Sequence, residues 1–157
     1  MNSSQQIRGL WRITPAQRLL RAVDAFAAIF GAKTATAPHL VTGNRGEDEA
    51  FYHLHKYGYV LIARRWRSRN LRGDIDLIAW DGDTLCIIEV KTRTSHGLAP
   101  AEAAVDDEKQ RMLRRMAHAY LRRRRFPDSQ PVRFDVVCVY ILGSVVEFEI
   151  LKNWFTF

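Results

Sequence analysis

The chain has 157 residues, of which 47% are hydrophobic and 26% charged, the size and make-up of one globular domain. No apolar run approaches the roughly 18 residues of a membrane span. Two cysteines, Cys86 and Cys138, are too few for a disulfide scaffold or a cysteine zinc cluster, so a reducing, cytoplasmic setting is the expectation. The formal net charge is +7 with a pI near 9.8, and arginine outnumbers lysine. Basic proteins of this size commonly meet nucleic acid, ribosomes or anionic membranes, and the planar arginine fork suits phosphate.

Residues 1–42 read as a basic N-terminal extension, with Arg8, Arg12, Arg18, Arg21 and Lys33 against one acid, Asp24. Thr14-Pro15 is a helix start, a capping hydroxyl followed by proline at the first helical position. Leu19, Val23, Phe26 and Phe30 then recur at helical spacing and form an amphipathic stripe. Arg21 and Asp24 interrupt the apolar stretch, which argues against a secretory signal. Such a helix packs on the domain, or lies on a membrane or a partner. Residues 32–42 read as a linker.

Residues 43–157 read as the working domain. The spacing predicts a helix over 46–57 with Ala50, Phe51, Leu54 and Tyr57 on one face, ended by Gly58. Glu47 then points along the apolar stripe, toward a sheet, and Glu49 points to solvent. Strand-like runs follow at 59–67, 73–80 and 84–91, the last two joined by a turn at Asp81-Gly82. A long helix is expected over 105–125, with Val105, Lys109, Met112, Leu113, Met116 and Tyr120 on one side. Two strands close the chain, 132–140 and 145–151, with Gly143-Ser144 between them. The order is helix, three strands, helix, two strands.

The hairpin gathers acids. A two-residue turn at 81–82 sets Asp76 opposite Ile87 and Asp74 opposite Glu89. Alternation then puts Asp74, Asp76, Ile78, Leu85, Ile87, Glu89 and Lys91 on one side of the sheet. Ile75, Leu77, Ala79, Cys86, Ile88 and Val90 form a wholly apolar other side, suited to packing on a helix. Asp76 and Glu89 become diagonal neighbours, roughly 7–8 Å apart at the backbone, and can converge on one cation. Burying like charges so close costs several kcal/mol unless something compensates. Lys91, an arginine or a divalent metal would serve, and magnesium favours carboxylates with water. An ordinary ion pair on a solvated hairpin face is the competing reading, and for Glu47 it is a favourable place at a helix N-terminus.

Four fragments, in order, carry a family resemblance: Gly43-Asn44-Arg45-Gly46-Glu47-Asp48, Gly73-Asp74-Ile75-Asp76-Leu77-Ile78, Glu89-Val90-Lys91-Thr92-Arg93 and Arg133-Phe134-Asp135-Val136-Val137. They resemble the YraN-like proteins, an uncharacterised endonuclease-like group close to archaeal Holliday junction resolvases of the PD-(D/E)XK nuclease superfamily. The resemblance covers about residues 43–151. It implies an α/β fold, a restriction-endonuclease-like αβββαβ core with a mixed central sheet flanked by helices. It also implies metal-assisted phosphodiester hydrolysis. Asp76, Glu89 and the backbone carbonyl of Val90 would hold Mg²⁺ or Mn²⁺, Lys91 would be the motif lysine, and Glu47 the helix acid that completes the site. Asp74 stands where the family usually has Glu and takes a supporting role. Ile75 stands where the superfamily often has proline.

Lys109 is basic on a core-facing stripe, so it either reaches the site or snorkels. Arg64, Arg65, Arg67, Arg69 and Arg72, with Trp66 among them, fit a phosphate-tracking groove, and Arg93 follows the motif lysine. Arg122, Arg123, Arg124 and Arg125 close the long helix, where they suit its dipole or grip a nucleic-acid backbone. The C-terminal Trp154, Phe155 and Phe157 close the core or a dimer contact. The expected function is a metal-dependent nuclease acting on DNA before RNA, on branched or junction DNA by analogy with resolvases, with a homodimer carried over from the same analogy. The alternatives are a nucleic-acid-binding module with a silent site and a basic structural adaptor.

Overall fold

The computed structural model describes residues 6–12, 38–96 and 105–157, with side chains from residue 43 onward. The expected helix through Leu19, Val23, Phe26 and Phe30 lies outside the described residues. The elements are β1 (Gln6–Arg12), α1 (Pro38–Lys56), β2 (Val60–Trp66), β3 (Ile75–Asp81), β4 (Thr84–Arg93), α2 (Asp107–Arg124), β5 (Val132–Leu142) and β6 (Val145–Phe155). From α1 onward the order is the one the sequence predicts. Two departures lie upstream: residues 6–12 form a strand, and α1 starts at Pro38, inside the stretch read as a linker. No helix among the described residues is long and apolar enough to cross a membrane.

The six strands form one mixed sheet in the order β1-β6-β5-β4-β3-β2. Strands β2, β3 and β4 are an antiparallel meander. Strands β4 and β5 run parallel, which requires the crossover that α2 supplies. Strand β6 returns antiparallel to β5, and β1 pairs with its outer edge. The five strands β2 to β6 and two flanking helices are compatible with a restriction-endonuclease-like core.

Each face of the sheet packs one helix. Leu77, Ala79, Cys86, Ile88, Val137, Val139, Val146 and Phe148 meet Ala50 and Leu54 of α1. Ile78, Leu85, Ile87, Phe134, Val136 and Cys138 meet Leu113, Met116, Ala117 and Tyr120 of α2. The predicted two-sided hairpin is thus present, except that Ile75, at the start of β3, joins the α2 cluster. Helix α2 is capped by Asp106, whose side chain accepts the Lys109 N–H, and closes at Arg125 in the left-handed conformation. Phe155 completes the core by stacking on Phe134 at 4.5 Å.

The face of α1 is rotated from the expected one. Gly46, Glu49, Ala50, His53 and Leu54 are buried, whereas Tyr57 is exposed. Glu49 is only 3% exposed, which corrects its assignment to solvent. His53 stacks on Phe148 at 3.7 Å, and burial, with nearby Lys56, lowers its pKa to about 4. It is therefore a neutral core side chain at physiological pH.

The hairpin register also differs. Asp81 pairs with Thr84, so the turn residues are Gly82-Asp83, with Gly82 at φ 59° in the first position, where two-residue turns need positive φ. Leu77 then faces Ile88. The paired register ends there, and just past it the Val90 N–H donates to the Asp76 carboxylate, which brings Asp76 beside Glu89.

Toward the turn end of the sheet lies a satisfied polar network. Arg133 donates to both oxygens of Asp135, at 2.8 and 2.9 Å, and to Asp81 at 2.7 Å. Lys152 also donates to Asp81, and the Asn153 N–H donates to Asp135. Asp135 is fully buried and bidentate, so its removal leaves a partly buried arginine short of its main partner. Asp135→Ala is expected to cost about 3–5 kcal/mol in urea unfolding. Arg133→Met/Asp135→Leu is expected to cost less, because no charge is stranded.

Candidate functional site

Strands β3 and β4 carry the two central acids at the end of the sheet away from the turn. Asp76 is fixed by the backbone: its Oδ2 accepts the Val90 N–H at 2.8 Å. Glu89 is 3% exposed and lies between two lysines. Lys91, two residues along β4 and on the same side, places Nζ 3.1 Å from Oε1. Lys109, in the first turn of α2, places Nζ 2.9 Å from Oε2. Oε2 is buried, with the Lys109 ammonium against it.

The third acid comes from α1. Gly46 lets that helix approach β4 so closely that a Cβ there would fall 1.8 Å from Oγ1 of Thr92. The contact seats the next residue, Glu47, on the wall of a pocket of about 430 Å³ shared with Gly43, Asp76, Glu89, Val90, Thr92 and Thr94. Glu47 accepts a hydrogen bond from Nε of Arg65 at 2.5 Å, and Arg65 Nη2 donates to Asn44 at 2.7 Å.

The electrostatics follow from this crowding. Burial, then the Glu89 charge, pushes Asp76 up to about 7, against the pull of the Val90 N–H and Lys109. Burial works against the Lys109 ammonium, but Glu89, Asp76 and Asp74 more than offset it and hold its pKa above the usual lysine value. The Arg65 pKa is raised chiefly by its hydrogen bond to Glu47.

A divalent cation fits this donor set. Asp76, Glu89 and the Val90 carbonyl are hard oxygen donors, and the burial and charge repulsion that raise the Asp76 pKa are relieved by a cation. Among the described residues no three His, Cys, Asp or Glu side chains form a ready-made metal cage. Such an ion would therefore keep much of its water, the habit of magnesium.

The expected residues divide into those the structure brings together and those it does not. Glu47, Asp76, Glu89, Val90, Lys91 and Lys109 belong to one site. Asp74 stands nearby in an ion pair with Arg67 at 3.2 Å. Arg69 and Arg72 are exposed on the loop between β2 and β3, and Arg93 is half-buried on β4. Arg122, Arg123, Arg124 and Arg125 lie apart, at the other end of α2. Thirteen residues separate Lys109 from Arg122, or about 20 Å along the helix. The sequence expectation sets Arg65 on phosphate; in the structure its guanidinium is taken up by Glu47 and Asn44. Asn44 and Thr92 were not singled out, although both lie inside the matched fragments.

Comparison with known proteins places the chain among relatives with no stated activity. A family model described as "Uncharacterised protein family UPF0102" matches residues 46–139, which contain every acid and lysine of the site. A UPF0102 protein of Koribacter versatilis is 48% identical over 117 residues, covering 74% of this chain and 80% of its own. One from Solibacter usitatus is 44% identical over 102 residues, covering 65% and 76%. One from Porphyromonas gingivalis is 38% identical over 121 residues, covering 76% and 87%.

Two outcomes test the geometry. Gly46→Ala forces α1 off β4 and is expected to cost about 1–3 kcal/mol in urea unfolding, part of which Thr92→Ala restores by clearing Oγ1 and Cγ2. Asp76→Asn keeps an acceptor for the Val90 N–H and removes a repelled, buried charge. A carboxyl whose folded pKa is about 7 against 3.8 unfolded binds its proton more tightly in the fold, so its ionisation penalises the folded state as pH rises through that window. In EDTA at pH 8, Asp76→Asn is therefore expected to be more stable than wild type, by on the order of a few kcal/mol. Thermal unfolding across the pH range should show the advantage fading as pH falls from about 7 to 4.

Proposed function

The chain belongs to the uncharacterised protein family UPF0102, and for it we propose a metal-dependent nuclease that hydrolyses phosphodiester bonds, in DNA before RNA. The observation that carries this reading is the pair Asp76 and Glu89, brought together on adjacent strands β3 and β4 and facing a pocket open to solvent. A fold that only needed stability would not press two carboxylates together at a cost. An anion-binding function agrees with the +7 net charge.

On this reading the residues take distinct parts. Asp76, oriented by the Val90 N–H, and Glu89 hold Mg²⁺ or Mn²⁺ together with the Val90 carbonyl. The ion, when bound, supplies Lewis-acid stabilisation of phosphate charge and a more acidic water. Lys91 is placed to donate to a phosphate oxygen as charge develops there. Lys109 holds Glu89 from the helix side. Glu47 faces the reacting volume from α1. In the net reaction the oxygen of water joins phosphorus, one P–O bond to a flanking sugar breaks, and the departing oxygen is protonated. Arg69 and Arg72 on the neighbouring loop are free to meet the backbone of the nucleic acid.

A second reading has one observation in its favour. Lys91 and Lys109 already neutralise Glu89, as they would in a binding module whose nuclease site is silent.

Cleavage of labelled single-stranded, duplex, flap and four-way-junction DNA, and of matching RNA, separates the two. Cutting is expected in Mg²⁺ or Mn²⁺, absent in EDTA, and reduced at least about a hundredfold by Glu89→Gln, with binding retained. Binding without cutting under every metal condition would establish the silent module instead.

A further inference from the structure

Arg64 and Arg65 are consecutive residues of β2, yet both reach α1. Arg64 pairs with Asp48 and lies 5.1 Å over the Phe51 ring. Arg65 takes Glu47 and Asn44. Regular strand alternation sends neighbours to opposite faces. The exception has a backbone cause: Arg65 sits at φ 46°, in the left-handed region, just beyond a bulge between Leu61 and Ala63. The register pairs Arg64 with Leu77 and Trp66 with Ile75, which sets Arg65 opposite Asp76. An undistorted strand would turn its side chain to the face away from Arg64 and α1. Instead the guanidinium clasps two residues one helical turn apart on α1. A non-glycine residue held in this region is strained, and such strain persists where the surroundings fix it, commonly at functional sites.

We propose that Arg65 is a positioning residue for the nuclease site: its left-handed backbone aims the guanidinium at Glu47 and fixes that carboxylate on the pocket wall as an outer-sphere acid beside Asp76 and Glu89. The inference rests on the proposed metal-dependent function. It assigns Arg65 to the acid on α1 and away from the phosphate backbone.

The sign of one effect tests it. Deleting a cation beside a metal site ordinarily tightens metal binding, because repulsion is removed. Releasing a positioned outer-sphere carboxylate loosens it, by about 10–100-fold. Arg65→Gly is the informative variant, because glycine takes φ 46° without strain, so folding is preserved while the guanidinium is lost. Mn²⁺ affinity would be measured by titration calorimetry and paramagnetic resonance on the full chain, for wild type, Arg65→Gly, Arg65→Lys, Glu47→Gln and the Arg65→Gly/Glu47→Gln double variant. The expected results are a thermal midpoint for Arg65→Gly near that of wild type, Mn²⁺ binding weakened about 10–100-fold, and partial recovery in Arg65→Lys. In the Glu47→Gln background, loss of Arg65 should add little. Unchanged or tighter Mn²⁺ binding by Arg65→Gly would overturn the inference, and a loss confined to DNA affinity would return Arg65 to the substrate phosphate. An equal factor in both Glu47 backgrounds would also overturn it, by showing that Arg65 acts independently of Glu47. Absence of Mn²⁺ binding to wild type would remove the proposed function itself, and this inference with it.

Discussion

Two carboxylates that repel each other set the terms for this molecule. Asp76 and Glu89 stand close together on adjacent central strands, and burial and the Glu89 charge push Asp76 up to about 7. The surrounding chain answers that cost from several directions. The Val90 N–H donates to one acid, and two lysines, one from β4 and one from α2, flank the other. Helix α2 has to begin where it does for Lys109 to arrive, which makes its Asp106 cap part of the site's construction.

The two ends of the sheet treat buried charge in opposite ways. At the turn end, Arg133, Asp135, Asp81 and Lys152 match donors to acceptors, with the backbone of Asn153 adding to Asp135. Such a network specifies the packing of β5, β6 and the hairpin. At the other end burial and the Glu89 charge push the Asp76 carboxyl up, and the acids face a pocket. One chain thus shows what a satisfied polar cluster looks like beside one that is not. The contrast argues that the second is kept for what it can bind.

Hydrophobic periodicity made the domain legible from residue 43 on. Val, Ile and Leu alternate or run together on the strands, and Leu113, Met116 and Tyr120 recur at helical spacing on α2. The site was legible because cross-strand pairing shares a face: a one-residue error in the turn shifts the register by two and left the apolar side chains, Ile75 excepted, on their own sides of the hairpin. The same method failed on α1, whose buried stripe is Gly46, Glu49, Ala50, His53 and Leu54. Three of those five are not apolar, so a search for apolar spacing turned the helix toward Phe51 and Tyr57. Strand β1 was hidden because its Ile7, Leu10 and Trp11 do not alternate and Gly9 interrupts them. The left-handed backbone of Arg65 leaves no trace in composition, since glycine and asparagine are the residues that announce it.

Charge counting bears on what the pocket accepts. Glu47, Asp76 and Glu89 supply three negative charges when ionised, and Arg65, Lys91 and Lys109 supply three positive ones. The site is then close to neutral as it stands, with Glu47 and Glu89 paired to cations of the same chain and Asp76 held by the Val90 N–H. Adding a divalent ion leaves the cluster with an excess of positive charge that no further acid of the pocket cancels. A phosphodiester is the kind of anion that restores the balance. Ion and nucleic acid should therefore bind with mutual reinforcement, each lowering the electrostatic cost of the other. On the proposed reading, Lys91 and Lys109 hold Glu89 before an ion binds, and an ion on the carboxylates would release Lys91 to a phosphate oxygen while Lys109 keeps its hold on Glu89. The Lys91–Glu89 ion pair would then be the resting state of the proposed nuclease site, which makes its presence compatible with that proposal.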